Sequence, residues 1–170
     1  MILSNLEIHK YIKEKKLIID PYYEDTVREN GIDLRFGDEI ARLKMTNLIF
    51  DPHSKNEYEN FFEKEKGESF IINPNERILA CTLENIELKD LIGFVNLRSS
   101  YARIRLSLPP TIVDRGFKGQ LTLHITGSSF PIKLHKGDRF FHIVLAKLTS
   151  DSIGYKGIYL YQKGVTYPKF

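Results

Sequence analysis

Thr111-Ile112-Val113-Asp114-Arg115-Gly116-Phe117-Lys118-Gly119-Gln120 reads as a turn set between strands. An acid opens it, and two glycines flank an aromatic. Asp and Gly are ordinary turn residues, so the stretch predicts a hairpin with Asp114 at its start. The same residues also suit chemistry: Asp114 can activate water, and Phe117 can pack against a sugar face. The residues alone leave both readings open.

Outward from this turn, most of the chain reads as short strands. Leu121–Thr126 follows directly, then Ile132–Leu134 and Phe140–Leu148. Upstream lie Gly93–Leu97, Ile78–Leu83 and Ser69–Ile72, the last two separated by the turn Asn73-Pro74-Asn75. Gly31-Ile32-Asp33-Leu34-Arg35-Phe36-Gly37 alternates apolar and polar residues between two glycines, and residues 40–45 extend it. Leu17-Ile18-Ile19 is stopped by Asp20-Pro21, and Ile158–Leu160 gives a last short piece. Short strands at regular spacing predict an all-β fold, a distorted barrel or jelly roll. One helix stands apart from this pattern. Ser4 as N-cap and Glu7 as its capping-box partner start it, and Leu6, Ile8, Tyr11 and Ile12 give an apolar face up to Lys16.

Residues 46–67 are polar and charged, and read as an excursion with one short helix near Tyr58–Phe62. They do not read as a second domain, so residues 1–170 are expected to form one, with a helix in 1–16 and a tail or lid in 155–170. The tail has turn residues and no clear period, which fits an ordered lid or a frayed end.

Composition narrows the class. The 170 residues are 42% hydrophobic and 28% charged, as in a soluble globular protein. The single cysteine, Cys81, excludes an intrachain disulfide and argues for a reducing, cytoplasmic setting. Acid and amide groups come too early for a signal peptide, and no apolar run approaches a membrane span. The net charge of +3 has both signs interspersed, so no nucleic-acid face is implied.

Standard catalytic motifs are missing. There is no phosphate-binding G-x-x-x-x-G-K-[ST] loop, no G-x-G-x-x-G fingerprint and no G-x-S-x-G elbow. One cysteine excludes a zinc deaminase, and His124, His135 and His142 lack metal-ligand spacing. Two clusters remain beside the Asp114 turn. Leu97-Arg98-Ser99-Ser100-Tyr101-Ala102-Arg103 sets arginines around paired hydroxyls, which suits phosphate oxygens. It equally suits a helix start capped by Ser99 or Ser100, and a helix start itself attracts anions. Gly137-Asp138-Arg139-Phe140-Phe141-His142 reads as a turn entering a buried strand.

In order, these clusters resemble the motifs of the dUTPase and dCTP deaminase superfamily. Met1-Ile2-Leu3-Ser4 is similar to the start of archaeal dCTP deaminases and of bifunctional dCTP deaminase–dUTPases. Gly31–Gly37 resembles the first motif, Arg98–Arg103 the second (R-S-S-x-A-R), Val113–Gln120 the third and Gly137–Arg139 the fourth. Tyr155–Thr166 resembles the deaminase-side tail, Y-x-G-K-Y-x-x-Q-x-G-x-T. The resemblance implies a dUTPase-like β-clip subunit, a homotrimer with sites shared between neighbours, and Mg²⁺ bound through triphosphate and water with no direct protein ligand. It implies Asp114 as the group that orients or deprotonates water, and Phe117 under deoxyribose. Arg98, Ser99, Ser100 and Arg103 become triphosphate contacts, some to a neighbour's ligand, and Tyr155 and Gln162 tail contacts. Gln120 closes the hairpin and reaches toward ligand. Asp33 is either structural or a holder of metal-bound water. His142 stands where dUTPases often carry glutamine and receives no role.

Departures from the pattern then weigh between activities. His124 stands where the deaminases carry a glutamate serving attack of water on cytosine, and a neutral imidazole does not simply copy a proton-shuttling carboxylate. Ile158 replaces the lysine of the deaminase tail. Both changes favour hydrolysis of dUTP to dUMP and pyrophosphate, a reaction that needs mainly positioning and charge neutralisation. The expectation is therefore a dUTP diphosphatase centred on Asp114. A dCTP deaminase, alone or bifunctional, is the second reading, and a non-catalytic nucleotide-binding trimer the third.

Overall fold

In the computed structural model, which describes residues 1–170, helix α1 (Asn5–Lys13) leads into β1 (Leu17–Asp20), β2 (Val27–Arg28) and the long β3 (Gly31–Leu43). A 3-10 turn (Tyr58–Asn60) precedes β4 (Phe62–Lys66), β5 (Ser69–Ile72), β6 (Arg77–Thr82), β7 (Asn85–Leu88) and β8 (Leu91–Leu97). After the short helix α2 (Ser99–Arg103) come β9 (Thr111–Val113), β10 (Lys118–Gly119), β11 (Thr122–Thr126), β12 (Ile132–His135) and β13 (Arg139–Lys147). The molecule is mostly β, with a nearly closed, barrel-like main sheet. That sheet runs β11-β6-β3-β13-β8-β9, and β2 and β4 also pair with β3. Two small sheets, β1-β7-β10 and β12-β5, complete the walls.

Strand β3 serves as the spine because it changes partners along its length. Its first half pairs with β2 and β13, as in Val27↔Ile32 and His142↔Asp33. Its second half pairs with β4 and β6, as in Leu43↔Phe62 and Ile40↔Ala80. Register shifts between Phe36 and Ile40 mark the change, and Gly37 sits in that bend. A Cβ at Gly37 would lie 2.5 Å from Cys81 Sγ and 2.7 Å from the Cys81 carbonyl oxygen. The close approach of β3 to β6 therefore needs a residue without a side chain.

The apolar core fills the barrel on either side of this bend. Phe36 meets Phe140 edge-on at 5.2 Å and Phe70 at 6.0 Å, and Phe140 meets Phe141 at 4.8 Å. All four rings are fully buried, and such pairs add to the plain gain of burying their area.

The alternation read in Gly31–Gly37 does not separate a wet face from a dry one, because all seven residues are buried. The polar ones are ion-paired instead. Arg35 donates to Glu84 Oε1 at 3.2 Å, pairs with Asp25, and lies 3.6 Å over the Tyr23 ring. Burial pushes the Glu84 carboxyl up from its ordinary value, against the pull of hydrogen bonds from the Arg35 backbone and guanidinium.

Several local expectations need correction. Ser4 is the N-cap of α1, yet its hydroxyl makes no capping bond, and Glu7 turns to Lys147 at 2.9 Å. Leu6 is exposed, so the helix face rests on Ile8, with Tyr11 and Ile12 partly buried. The charged excursion contains β4, whose Glu and Lys residues alternate beside β3 on a solvated edge; a charged edge strand carries little apolar signal. Strand β7 was not expected at all. Residues 158–160 form turns, not a strand. No helix is long and apolar enough to cross a membrane.

Substituting Gly37→Ala is expected to lower stability by about 1–3 kcal/mol, the usual cost of forcing a methyl into a filled space. Urea denaturation of the purified variant measures it, and an unchanged midpoint contradicts the close-approach account.

Candidate active site

The Asp114 segment is not a hairpin. Strand β9, before the turn, pairs with β8, whereas β10, after it, pairs with β7. The turn thus carries the chain from the main sheet to a small one, and β11 returns it to the main sheet beside β6. Asp114 heads the turn with an exposed side chain, and its carbonyl accepts from the Phe117 N–H at 3.1 Å.

Two glycines let the C-terminal tail lie directly on this segment. Gly116 has φ +85°, and a Cβ there would sit 2.8 Å from the Tyr155 nitrogen. Gly119 has φ +141°, and its Cβ would sit 2.9 Å from the Gln162 carbonyl oxygen. Both conformations are costly for residues with side chains. Through these gaps the Tyr155 N–H donates to the Arg115 carbonyl at 2.5 Å and the Tyr161 N–H to the Lys118 carbonyl at 2.6 Å. Farther on, Val165 N–H donates to Glu39 at 2.8 Å, and Tyr58 Oη donates to the Pro168 carbonyl at 2.5 Å. The tail is an ordered strap and not a frayed end.

Gln120 fastens this strap. Its Nε2 donates to the carbonyls of Thr82 and Leu83 at 2.9 and 3.1 Å, and its Oε1 accepts from the Gly164 N–H at 2.6 Å. That side chain is spent on the fold, which corrects the expectation that it reaches toward ligand.

Between strap and sheet lies a cavity of about 490 Å³, mostly apolar. It gathers Asp114, Phe117, His124, Tyr155 and Gln162 from the expected set. Phe117 is buried under Tyr155, with ring centroids 5.9 Å apart. Strand parity places His124: on β11 the residues Leu123 and Ile125 face the core, so Thr122, His124 and Thr126 face the cavity side. Within the cavity, His124 Nε2 and Gln162 Oε1 are shielded from solvent and have no hydrogen-bond partner. Unpaired buried polar atoms are uncommon and call for an explanation. Burial, and secondarily the charge of Arg77, hold the His124 imidazole below its ordinary value of 6.5, so it is neutral at pH 7.

The remaining expected residues lie elsewhere. Asp33, Arg98, Ser99 and His142 line a separate cavity of about 340 Å³. Asp33 is buried there, 2.9 Å from Arg98 Nε and 2.8 Å from His142 Nδ1, with Arg139 at 3.8 Å. Arg98, and neither serine, is the N-cap of α2. Ser99, Ser100 and Arg103 are exposed, and Arg103 makes no ion pair. One chain therefore does not bring this arginine–serine cluster to the Asp114 cavity. Sequence reasoning missed Arg77 and Tyr159, which also line that cavity; Tyr159 lies in the tail motif but received no role there, and Arg77 lies in no motif and arrives only through the pairing of β6 with β11. No group of three His, Cys, Asp or Glu side chains converges to hold a metal ion.

Comparison with known proteins follows the same lines. The family model described as dCTP deaminase-like matches residues 2–148. The chain is 54% identical to a dCTP deaminase of Saccharolobus solfataricus, covering 100% of this chain and 92% of the relative. It is 51% identical to a protein of Sulfolobus islandicus rod-shaped virus 1 named probable deoxyuridine 5'-triphosphate nucleotidohydrolase, covering 99% of each. Among solved structures, the 2'-deoxycytidine 5'-triphosphate deaminase of Agrobacterium tumefaciens shares the fold, with TM-score 0.66 and 20% identity over 85% of this chain. The chain spans less than half of that protein, 46% of its length.

These findings correct the expectation of a dUTP diphosphatase. The name dCTP deaminase recurs in three further archaeal relatives at 48–52% identity. The expectation failed because Asp114 and the arginine–serine cluster belong to motifs shared across the superfamily. The choice between activities therefore hung on His124 and Ile158 alone.

Replacing Gln120 with alanine is expected to loosen the strap without unfolding the barrel. Amide exchange at Gly164 should quicken by about tenfold or more, as several hydrogen bonds are lost together. Hydrogen-exchange mass spectrometry reads this, and unchanged protection across residues 155–166 contradicts it.

Proposed function

The chain belongs to the dCTP deaminase-like family, and from that membership we propose that it converts dCTP and water to dUTP and ammonia. The observation that carries this reading is His124, a neutral imidazole facing an apolar cavity with an unpaired Nε2. Deamination needs a group that moves protons in sequence. In this reading, His124 accepts a proton from the water that attacks C4 and passes it to N3. It then takes the proton of the new C4 hydroxyl and gives it to the departing amine. The water's oxygen stays on the ring, its two protons end on N3 and ammonia, and the imidazole is regenerated.

Neighbouring groups fit the same substrate. Gln162 Nε2 already donates to the Gln120 carbonyl at 2.7 Å, so the unpaired Oε1 suits a donor such as the 4-amino group and does not suit phosphate. Phe117 and Tyr155 give the apolar wall for sugar and base. Asp114, exposed at the lip, suits a water molecule or a sugar hydroxyl.

A triphosphate carries several negative charges, and Arg77 is the only lysine or arginine lining this cavity. The exposed Ser99, Ser100 and Arg103, beside half-buried Arg98, supply what is lacking if they come from a neighbouring copy. We therefore place the chain in a homotrimer with sites shared between subunits. Mg²⁺ enters as the triphosphate's partner, held by phosphate and water oxygens, as suits a hard cation that keeps its waters.

Incubation with dCTP, with product chromatography and an ammonia assay, tests the reading. Ammonia and dUTP are expected, and His124→Ala should lower kcat by about 10²–10⁴-fold, the usual worth of general acid–base catalysis. Intact dCTP alongside conversion of dUTP to dUMP overturns it.

A further inference from the structure

Arg77 sits on β6, diagonal to His124 across the β6–β11 pair. Register sets Thr126 opposite Arg77 and His124 opposite Leu79. Opposite residues share a face, as do residues two apart, so Arg77 and His124 flank one another on the cavity side. Arg77 is exposed, lines the same cavity, and forms no ion pair and no side-chain hydrogen bond. An unpaired cation at this position has no evident structural duty.

We propose that Arg77 is the positioning residue of the cavity's proton-transfer end: its fixed charge beside His124 keeps the imidazole in the form that accepts a proton. This deepens the deaminase reading and rests on it for its catalytic meaning. A positive charge on one side of an imidazole opposes a second positive charge on the ring. The remaining ionisable groups of the cavity wall are Asp114, Tyr155 and Tyr159. Of these, Asp114 is the one whose charge would act in the opposite sense. The direction of the His124 titration agrees: it is lowered by burial first and by Arg77 second.

Arginine is suited to this task because it stays charged at every pH at which the enzyme works. Its exposure makes the effect sensitive to salt, since solvent and ions screen exposed charges.

The test is a titration of His124 by proton NMR in the full-length protein, assigned with His124→Phe. Arg77→Met should move the His124 titration upward toward the ordinary histidine value, and Arg77→Lys should leave it near wild type. In parallel, the kcat/KM for dCTP at about pH 6, relative to about pH 8, should fall by roughly twofold or more in Arg77→Met and be rescued in Arg77→Lys. Raised salt should move wild type toward Arg77→Met. An unmoved His124 titration in a folded Arg77→Met protein overturns the proposal. If the titration moves but neither protein releases ammonia from dCTP, the electrostatic role of Arg77 stands and the deaminase reading fails.

Discussion

The whole architecture turns on the bend of β3 at Gly37. A single strand of 13 residues belongs to one side of the barrel before the bend and to the other after it. The bend needs the space that a missing Cβ leaves against Cys81. Once β3 crosses, β13 and β6 are held on opposite halves of it. Strand β11 can then pair with the free edge of β6, which brings His124 beside Arg77. The placement of His124 beside Arg77 is thus a consequence of a backbone contact elsewhere in the sheet, at Gly37.

A second constraint shapes the cavity itself. The tail could not lie against residues 115–120 if Gly116 and Gly119 carried side chains. It is then locked by Gln120, by Glu39 and by aromatic packing, with the Tyr167 ring stacked on Tyr58 at 5.2 Å and on Phe62 at 5.1 Å. The charged excursion that looked like solvated filler provides these aromatic anchors. Its β4 edge and its 3-10 turn therefore have a purpose that composition does not reveal.

What the sequence made legible was the local part. Short strands between turn residues gave the all-β class, and motif order gave the superfamily. Strand parity could place Leu123 and Ile125 inside, but only the pairing of distant strands shows which residues face His124. The hairpin at Asp114 was misread because turn chemistry specifies that the chain bends, not which strands receive it. Gln120 was misread for a related reason: an amide beside a motif looks free until its three partners, drawn from 37 to 44 residues away, are known. The choice of activity was misread because two departures, His124 and Ile158, were weighed as losses. In its folded setting His124 is a half-buried, neutral imidazole whose Nε2 is shielded and unpaired, which is a different chemical object from an isolated histidine in a string.

The central claim is that the cytosine ring lies beneath the strap with its C4 against His124. A crystal structure with an α,β-imido analogue of dCTP, whose cleavage between the α and β phosphorus atoms is blocked, tests it most directly. The account predicts N3 and the C4 substituent, either the 4-amino group or the carbonyl oxygen that deamination leaves, beside His124 and Gln162, over the Phe117 wall. A complex in which the base lies outside this cavity, with the α-phosphorus and its water against Asp114 and nothing on His124, would contradict it.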